Sequence, residues 1–302
     1  MLDIMKRESI NEFIINGVLN EIDVKEGTSP KTNDGWISCE AAVRVDQEIN
    51  GKVEENIIPI KLFSNRHKKD SSGKPSNELN SNYDRIKEYG EKLIALGSVE
   101  PGEEGKASRV SVTASIRENS FAGRDGRIVN TWQLSTNFIN SMKNSDDEEA
   151  TFLVTGVVVK KIHETDREGE ETGRLIVKLC IVGWNGSANV IDFIAEGSAA
   201  DHIDRNWEQG DTVKAAGVIA MTKKTVKTTE DVGFGEPIVH TRTETRRELI
   251  IKSGSGAGLS EDESYDSDDI KVALDKRKAY LTSLENAPKA TSVAKKNDGF
   301  GF

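Results

Sequence analysis

Chemistry in this 302-residue chain has to come from tryptophans flanked by bases. Trp36 and Arg44 stand on the polar side of an alternating run whose apolar side is Ile37, Cys39, Ala41, Val43 and Val45. Trp184 closes a second run, in which Leu175, Val177, Leu179 and Ile181 alternate with the side carrying Arg174 and Lys178. A neighbouring run adds Lys61 and Phe63 opposite Ile58, Ile60 and Leu62. A ring beside cations on a strand surface can stack an unpaired base while the cations neutralise phosphate.

The intervening loops carry the same types. Arg66, His67, Lys68, Lys69 and Lys74 cluster after the Phe63 strand, and Arg117, Arg124 and Arg127 surround Phe121. Lys223, Lys224 and Lys227 with Arg242, Arg246 and Arg247 line a later arm, where Glu230, Asp231, Glu236 and Glu244 interrupt them. Two other readings stay open: a tryptophan at a strand end can pack under a loop, and a charge run can be solvated surface.

Catalysis has little to stand on. The four histidines form no ligand spacing with a cysteine or with each other, and neither a nucleophile elbow nor a P-loop is present. Gly254, Gly256 and Gly258 form a G-x-G-x-G that no apolar strand follows at a dinucleotide-fold distance. The expectation is a binding protein with no catalytic residue, no metal and no cofactor. Cys39 and Cys180 sit in apolar strands and read as buried thiols, which suits a reducing cytosol. No apolar run is long enough to span a membrane, and residues 1–10 lack a signal-peptide core, so a cytoplasmic location is expected. The net charge of −10 speaks against nucleic acid only superficially, because ten acids fall in residues 146–149 and 261–269, outside the expected barrels.

The elements that would position these residues occur twice. Phe13, Ile14, Ile15, Asn16, Gly17 and Val18 reappear as Phe152, Leu153, Val154, Thr155, Gly156 and Val157. Each hexapeptide opens the order strand–strand–strand–helix–strand–strand, with a mid-strand glycine marking a bend. The first copy reads as strands at 12–22, 36–45, 56–63, 109–116 and 127–139, with Asn50 and Gly51 as a hairpin turn and a helix over 83–96. Residues 64–81 read as a polar loop. The second reads as strands at 151–162, 173–184, 189–195, 211–221 and 237–252, with a helix over 199–207. The low hydrophobic fraction, 35 %, favours two small cores over one large one. Trp132, Leu134 and Phe138 share one alternation and are expected in the core, and Trp207 as the plug of the second barrel.

The predicted fold class is therefore all-β with minor helices: two tandem five-stranded barrels and a flexible C-terminal tail containing a short helix. The expected domains are 1–143 and 151–252, joined by an acidic linker at 144–150, with an acidic tail at 253–302 and a helix at 269–285. The element order, the mid-strand glycines and the stretch Gly210 to Val218 resemble OB-fold proteins. With the acidic segment and the phenylalanine-ended tail, the whole resembles a single-stranded DNA-binding protein with tandem OB folds, of phage type. That resemblance implies single-stranded DNA as partner, a place in DNA replication, recombination or repair, and a tail (Asp298, Phe300, Phe302) that docks replication or recombination proteins. Lys295 and Lys296 depart from the acidic tail pattern. An adaptor that binds proteins through its barrels, and an RNA-binding protein, are the alternatives.

Overall fold

The computed structural model describes residues 9–123, 126–143, 146–183, 186–230 and 238–286, with backbone alone at 224–230, 238–240, 242 and 244. The described residues form an all-β structure with three α-helices. Its first barrel comprises β1 (Asn11–Thr28), β2 (Gly35–Ile49), β3 (Lys52–Asn65), β6 (Arg109–Ala122) and β7 (Ile128–Ser135). Between β3 and β6 come a small hairpin, β4 (His67–Lys69) and β5 (Pro75–Leu79), and the helix α1 (Ser81–Lys92). A two-residue strand, β8 (Asn140–Ser141), pairs with β6. The second barrel comprises β9 (Glu149–Thr165), β10 (Glu171–Val182), β11 (Ala188–Glu196), β12 (Thr212–Glu230) and β13 (Ile238–Gly254), with α2 (Ser198–Asn206) after β11. A last helix, α3, spans Ser267–Glu285.

Both barrels close by the same circuit. In the first, β1 pairs with β2, β2 with β3, β3 with β7 in parallel, β7 with β6, and β6 with β1. In the second, β9, β10, β11, β13 and β12 repeat that order, and β11–β13 is again parallel. Even the irregularity is duplicated: the β1–β2 register slips between Leu19 and Glu21, and the β9–β10 register slips where Val158 gives way to Lys160. Gly17 sits where β1 leaves β6 for β2, and a Cβ there would lie 2.2 Å from the carbonyl oxygen of Arg44. Only glycine lets the two backbones approach that closely at the bend. α1 covers one end of the first barrel through Ile86. Trp207, 1 % exposed, closes the second and donates its indole N–H to the Ser255 carbonyl at 2.9 Å.

The repeated hexapeptides also pair with each other. Residues 11–16 of β1 lie antiparallel to 149–154 of β9, with Phe13 directly opposite its equivalent, Phe152. The two rings stack at 5.7 Å, so a local two-fold axis runs between them. The contacts around that axis are reciprocal. Asn56 accepts from the backbone N–H of Met221 at 2.8 Å, and its equivalent Asn189 accepts from that of Glu118, equivalent to Met221, at 3.0 Å. Such self-complementary pairing is the geometry of a two-fold dimer interface, here within one chain. Composition favours two separate cores, but buried side chains run continuously from one barrel to the other through Phe13 and Phe152. The cores merge on one face of this strand pair, where Phe13, Ile15, Ala150, Phe152 and Val154 are all buried, whereas the opposite face carries Glu12, Asn16 and the exposed Leu153.

Two further expectations change. The polar stretch 64–81 holds the β4–β5 hairpin, and Phe138 lies 46 % exposed under the Arg85 guanidinium, 4.5 Å from its ring centre. β7 ends at Ser135, so the alternation that would bury Phe138 stops before reaching it.

Residues 253–286 follow the second barrel. The backbone N–H groups of Ser255 and Leu259 donate to Lys214 and Thr212. Asp266 caps α3 by accepting from the N–H groups of Asp268 and Asp269. The helix lays Ile270 and Ala273 on Val157, Cys180, Val182 and Ala188 of the second barrel. Arg277 reaches from it to Glu118 on β6, at 2.6 and 2.7 Å. Asp298, Phe300 and Phe302 lie outside the described residues.

Candidate nucleic-acid interface

The first barrel carries an open aromatic and cationic face. Trp36, at the start of β2, is half-buried because its indole lies across Gly27 of β1, where a Cβ would come within 2.5 Å of the ring. Phe63, on β3, stacks against it with ring centres 6.4 Å apart and planes at 22°, and remains 54 % exposed. The pair thus offers a ring held from behind and free in front. Beside it runs a groove of about 330 Å³ walled by Lys61 and Phe63 of β3, Arg117 of β6 and Gln133 of β7. Lys61 bridges to Glu40 at 3.2 Å, and both side chains are exposed, so that pair is a weak competitor for an incoming anion. Arg117 is exposed at the groove wall.

The surrounding cations are mixed. Arg66 is exposed at the end of β3, and its backbone is bonded to Gly35 next to Trp36. Next to it, His67 donates from Nδ1 to the buried Asp34 carboxylate at 2.7 Å, and that bond holds the Asp34 carboxyl below its usual range. Lys68 is paired with Glu78 across the β4–β5 hairpin, and Lys69 is exposed. Arg44 lies half-buried further along β2, 3.9 Å from Asp46. Phe121 is 45 % exposed near the tip of the β6–β7 arm, opposite Val129, and Arg127 is exposed at that turn. Arg124 falls outside the described residues.

The second barrel does not repeat this face. Register equivalence places Thr172 where the first barrel has Trp36, and Glu196 where it has Phe63. Trp184 lies outside the described residues. Arg174 is surrounded by Glu164, Glu196 and Glu248 at 2.8 to 3.0 Å. Burial works against its charge, but these carboxylates outweigh that and hold its pKa above the usual arginine value. Arg246 joins the same cluster through Glu248 at 2.6 Å and Glu196 at 3.5 Å, and reaches Glu54 of the first barrel at 3.7 Å. Lys178 is bonded to both oxygens of Asp192 at 2.7 Å. Arg247 lies 4.2 Å above the Trp132 ring of the first barrel and donates to Thr131 and to the Trp132 carbonyl. Desolvation lowers its pKa. Lys223 is exposed, whereas only the backbone of Lys224, Lys227 and Arg242 is described, on the paired β12 and β13.

The structure therefore gathers Trp36, Lys61, Phe63 and Arg117 in one place and leaves Arg174, Lys178, Arg246 and Arg247 engaged with partners. Sequence reading missed Gln133 on the groove wall, and Phe138 with Arg85 just beyond it. The signal for Phe138 was its position past Ser135 in a segment rich in asparagine and serine.

These two closed five-stranded circuits, each with one parallel β3–β7 or β11–β13 contact, make the chain an all-β protein of OB-fold-like class. The YorF family model matches residues 9–287, and the chain belongs to the YorF family. Among solved structures it is similar to a deletion mutant of the single-stranded DNA binding protein from Thermus aquaticus, at 11 % identity and a TM-score of 0.51, covering 85 % of this chain and 98 % of that one. The wild-type form of that protein is similar at 10 % identity and a TM-score of 0.50, covering 84 % and 95 %. At such identities the likeness is one of fold. No curated protein matches the chain. Among the described residues no helix is long and apolar enough to cross a membrane, and no cluster of histidine, cysteine and carboxylates suits a metal ion.

Proposed function

We propose that the chain binds single-stranded DNA on the outer face of β2, β3, β6 and β7, with little sequence preference and without catalysis. The observation that carries this is the Trp36–Phe63 stack, with Phe63 open to solvent, beside a groove holding Lys61 and Arg117. Rings accept any base face, and the two cations take up phosphate charge as counter-ions leave. The similarity in fold to a single-stranded DNA binding protein supports the same reading. On it, the chain keeps separated strands extended in replication, recombination or repair, in the cytoplasm and of phage type. A terminal segment with Asp298, Phe300 and Phe302 would recruit other proteins of that process. The acidic stretch 144–150 would mark the boundary between the two barrel regions, 1–143 and 151–252.

Titration with oligo-dT, followed by tryptophan fluorescence, tests this. Quenching is expected, with an affinity that falls steeply as salt rises. A chain that ignores oligonucleotides but captures a protein partner on the same face would refute it. Tighter binding of a matched RNA oligomer would reassign the polymer.

A further inference from the structure

A second concave site lies along the same strand. A cleft of about 430 Å³ opens between the β6 arm, the β10–β11 turn and α3, lined by Asn119, Ser120, Asn189, Lys276 and Tyr280. Its floor is fixed: the Glu118 carboxylate accepts from Arg277, from Ser120 and from the Val190 backbone N–H. Burial alone would raise the Glu118 pKa, but these donors outweigh it and hold it below the usual value. The Glu118 and Arg277 charges thus cancel. Lys276 is exposed with no acidic partner among the described residues, and the Tyr280 ring is 55 % exposed. A free aromatic face, a cation without an acidic partner among the described residues and the exposed edge of β6 at Asn119 suit a nucleotide unit better than an apolar ligand.

The two sites share a wall. Ser115 and Arg117 on β6 line the first groove, and Asn119, next on the same side of the strand, lines the cleft. Two strand residues advance about 6.6–6.8 Å, so a single extended chain can pass from one site to the other without leaving β6. We infer that the single-stranded DNA path continues from the Trp36–Phe63 groove along β6 into the cleft beneath α3, where Tyr280 stacks a base and Lys276 meets phosphate. This rests on the function proposed above. It gives α3, docked on the second barrel, a direct part in binding.

The test compares oligo-dT of about 6 nucleotides, short enough for one barrel, with oligo-dT of about 30. Tyr280→Ala with Lys276→Gln should weaken the long oligomer about five-fold or more and leave the short one unchanged. The salt slope for the long oligomer should drop by about one. Both side chains are exposed, and unchanged circular dichroism would confirm the fold. Unchanged binding of both oligomers, while Trp36→Ala with Phe63→Ala abolishes it, would overturn the inference and leave the proposed function standing. Equal loss on both lengths would also overturn it, because the cleft would then belong to the first contact. Failure of the unmutated chain to bind either oligomer would remove the function itself.

Discussion

Replacing Asn56 by leucine tests whether the two barrels fold as one unit. Asn56 is fully buried, and its side-chain oxygen accepts from the Met221 backbone N–H of the other barrel at 2.8 Å. Its amide also donates to the Glu54 carbonyl at 3.0 Å. Leucine keeps the volume but leaves the Met221 N–H buried without a partner, which costs roughly 1–3 kcal/mol. The equivalent change, Asn189→Leu, removes the acceptor for the Glu118 N–H in a half-buried site and should fall toward the lower end of that range. With a continuous core through Phe13 and Phe152, urea unfolding should be a single transition monitored equally by fluorescence and circular dichroism. Asn56→Leu should then lower the midpoint of the whole transition at constant slope. Two separate transitions, with only one of them shifted, would refute the fused-barrel reasoning.

Other outcomes follow from single contacts. Gly17→Ala places a Cβ 2.2 Å from the Arg44 carbonyl oxygen and should destabilise by about 1–3 kcal/mol or more, seen as a lower urea midpoint. Burial pushes the Cys39 and Cys180 thiols up to about 12, so neither should react with a thiol reagent in the native chain at neutral pH. Arg277→Ala unties α3 from Glu118, and Cys180, which lies beneath that helix, should then react faster while Cys39 does not. The Glu118 carboxyl is depressed in the folded chain, so its contribution is present above the unfolded value, about 4.3, and disappears as pH falls through the folded one. Protection of the α3 amides, taken as exchange relative to the intrinsic rate at each pH, should therefore fall below about pH 4, and protection that does not change with pH would contradict the anchoring role.

Much of the architecture was legible because its signals are local. The hexapeptide repeat marks the two opening strands, Gly17 marks the bend, and Asn50 and Gly51, with φ of 53° and 78°, make the hairpin their dipeptide suggests. The illegible parts depend on distant partners. β1 runs from 11 to 28, beyond its predicted end, because one edge is shared between β9 and β2. Of the cations read as binding residues, Lys61 and Arg117 reach the groove. Arg174 and Arg246 resemble them in sequence but are surrounded by carboxylates from four different strands. Trp36 and Trp184 look equivalent by composition, but the register sets Thr172 opposite the Trp36 role. Only pairing between strands could reveal that difference.

The most direct measurement compares oligo-dT affinity for two variants at one salt concentration. Trp36→Ala with Phe63→Ala removes the ring stack, and Arg174→Ala with Lys178→Ala removes cations already bound to carboxylates. The first pair should weaken binding by roughly 1–3 kcal/mol for each lost stacking contact, and the second should leave affinity within about two-fold once correct folding is established. If the second pair abolishes binding while the first leaves it intact, the groove on the first barrel is not the place where the strand is held.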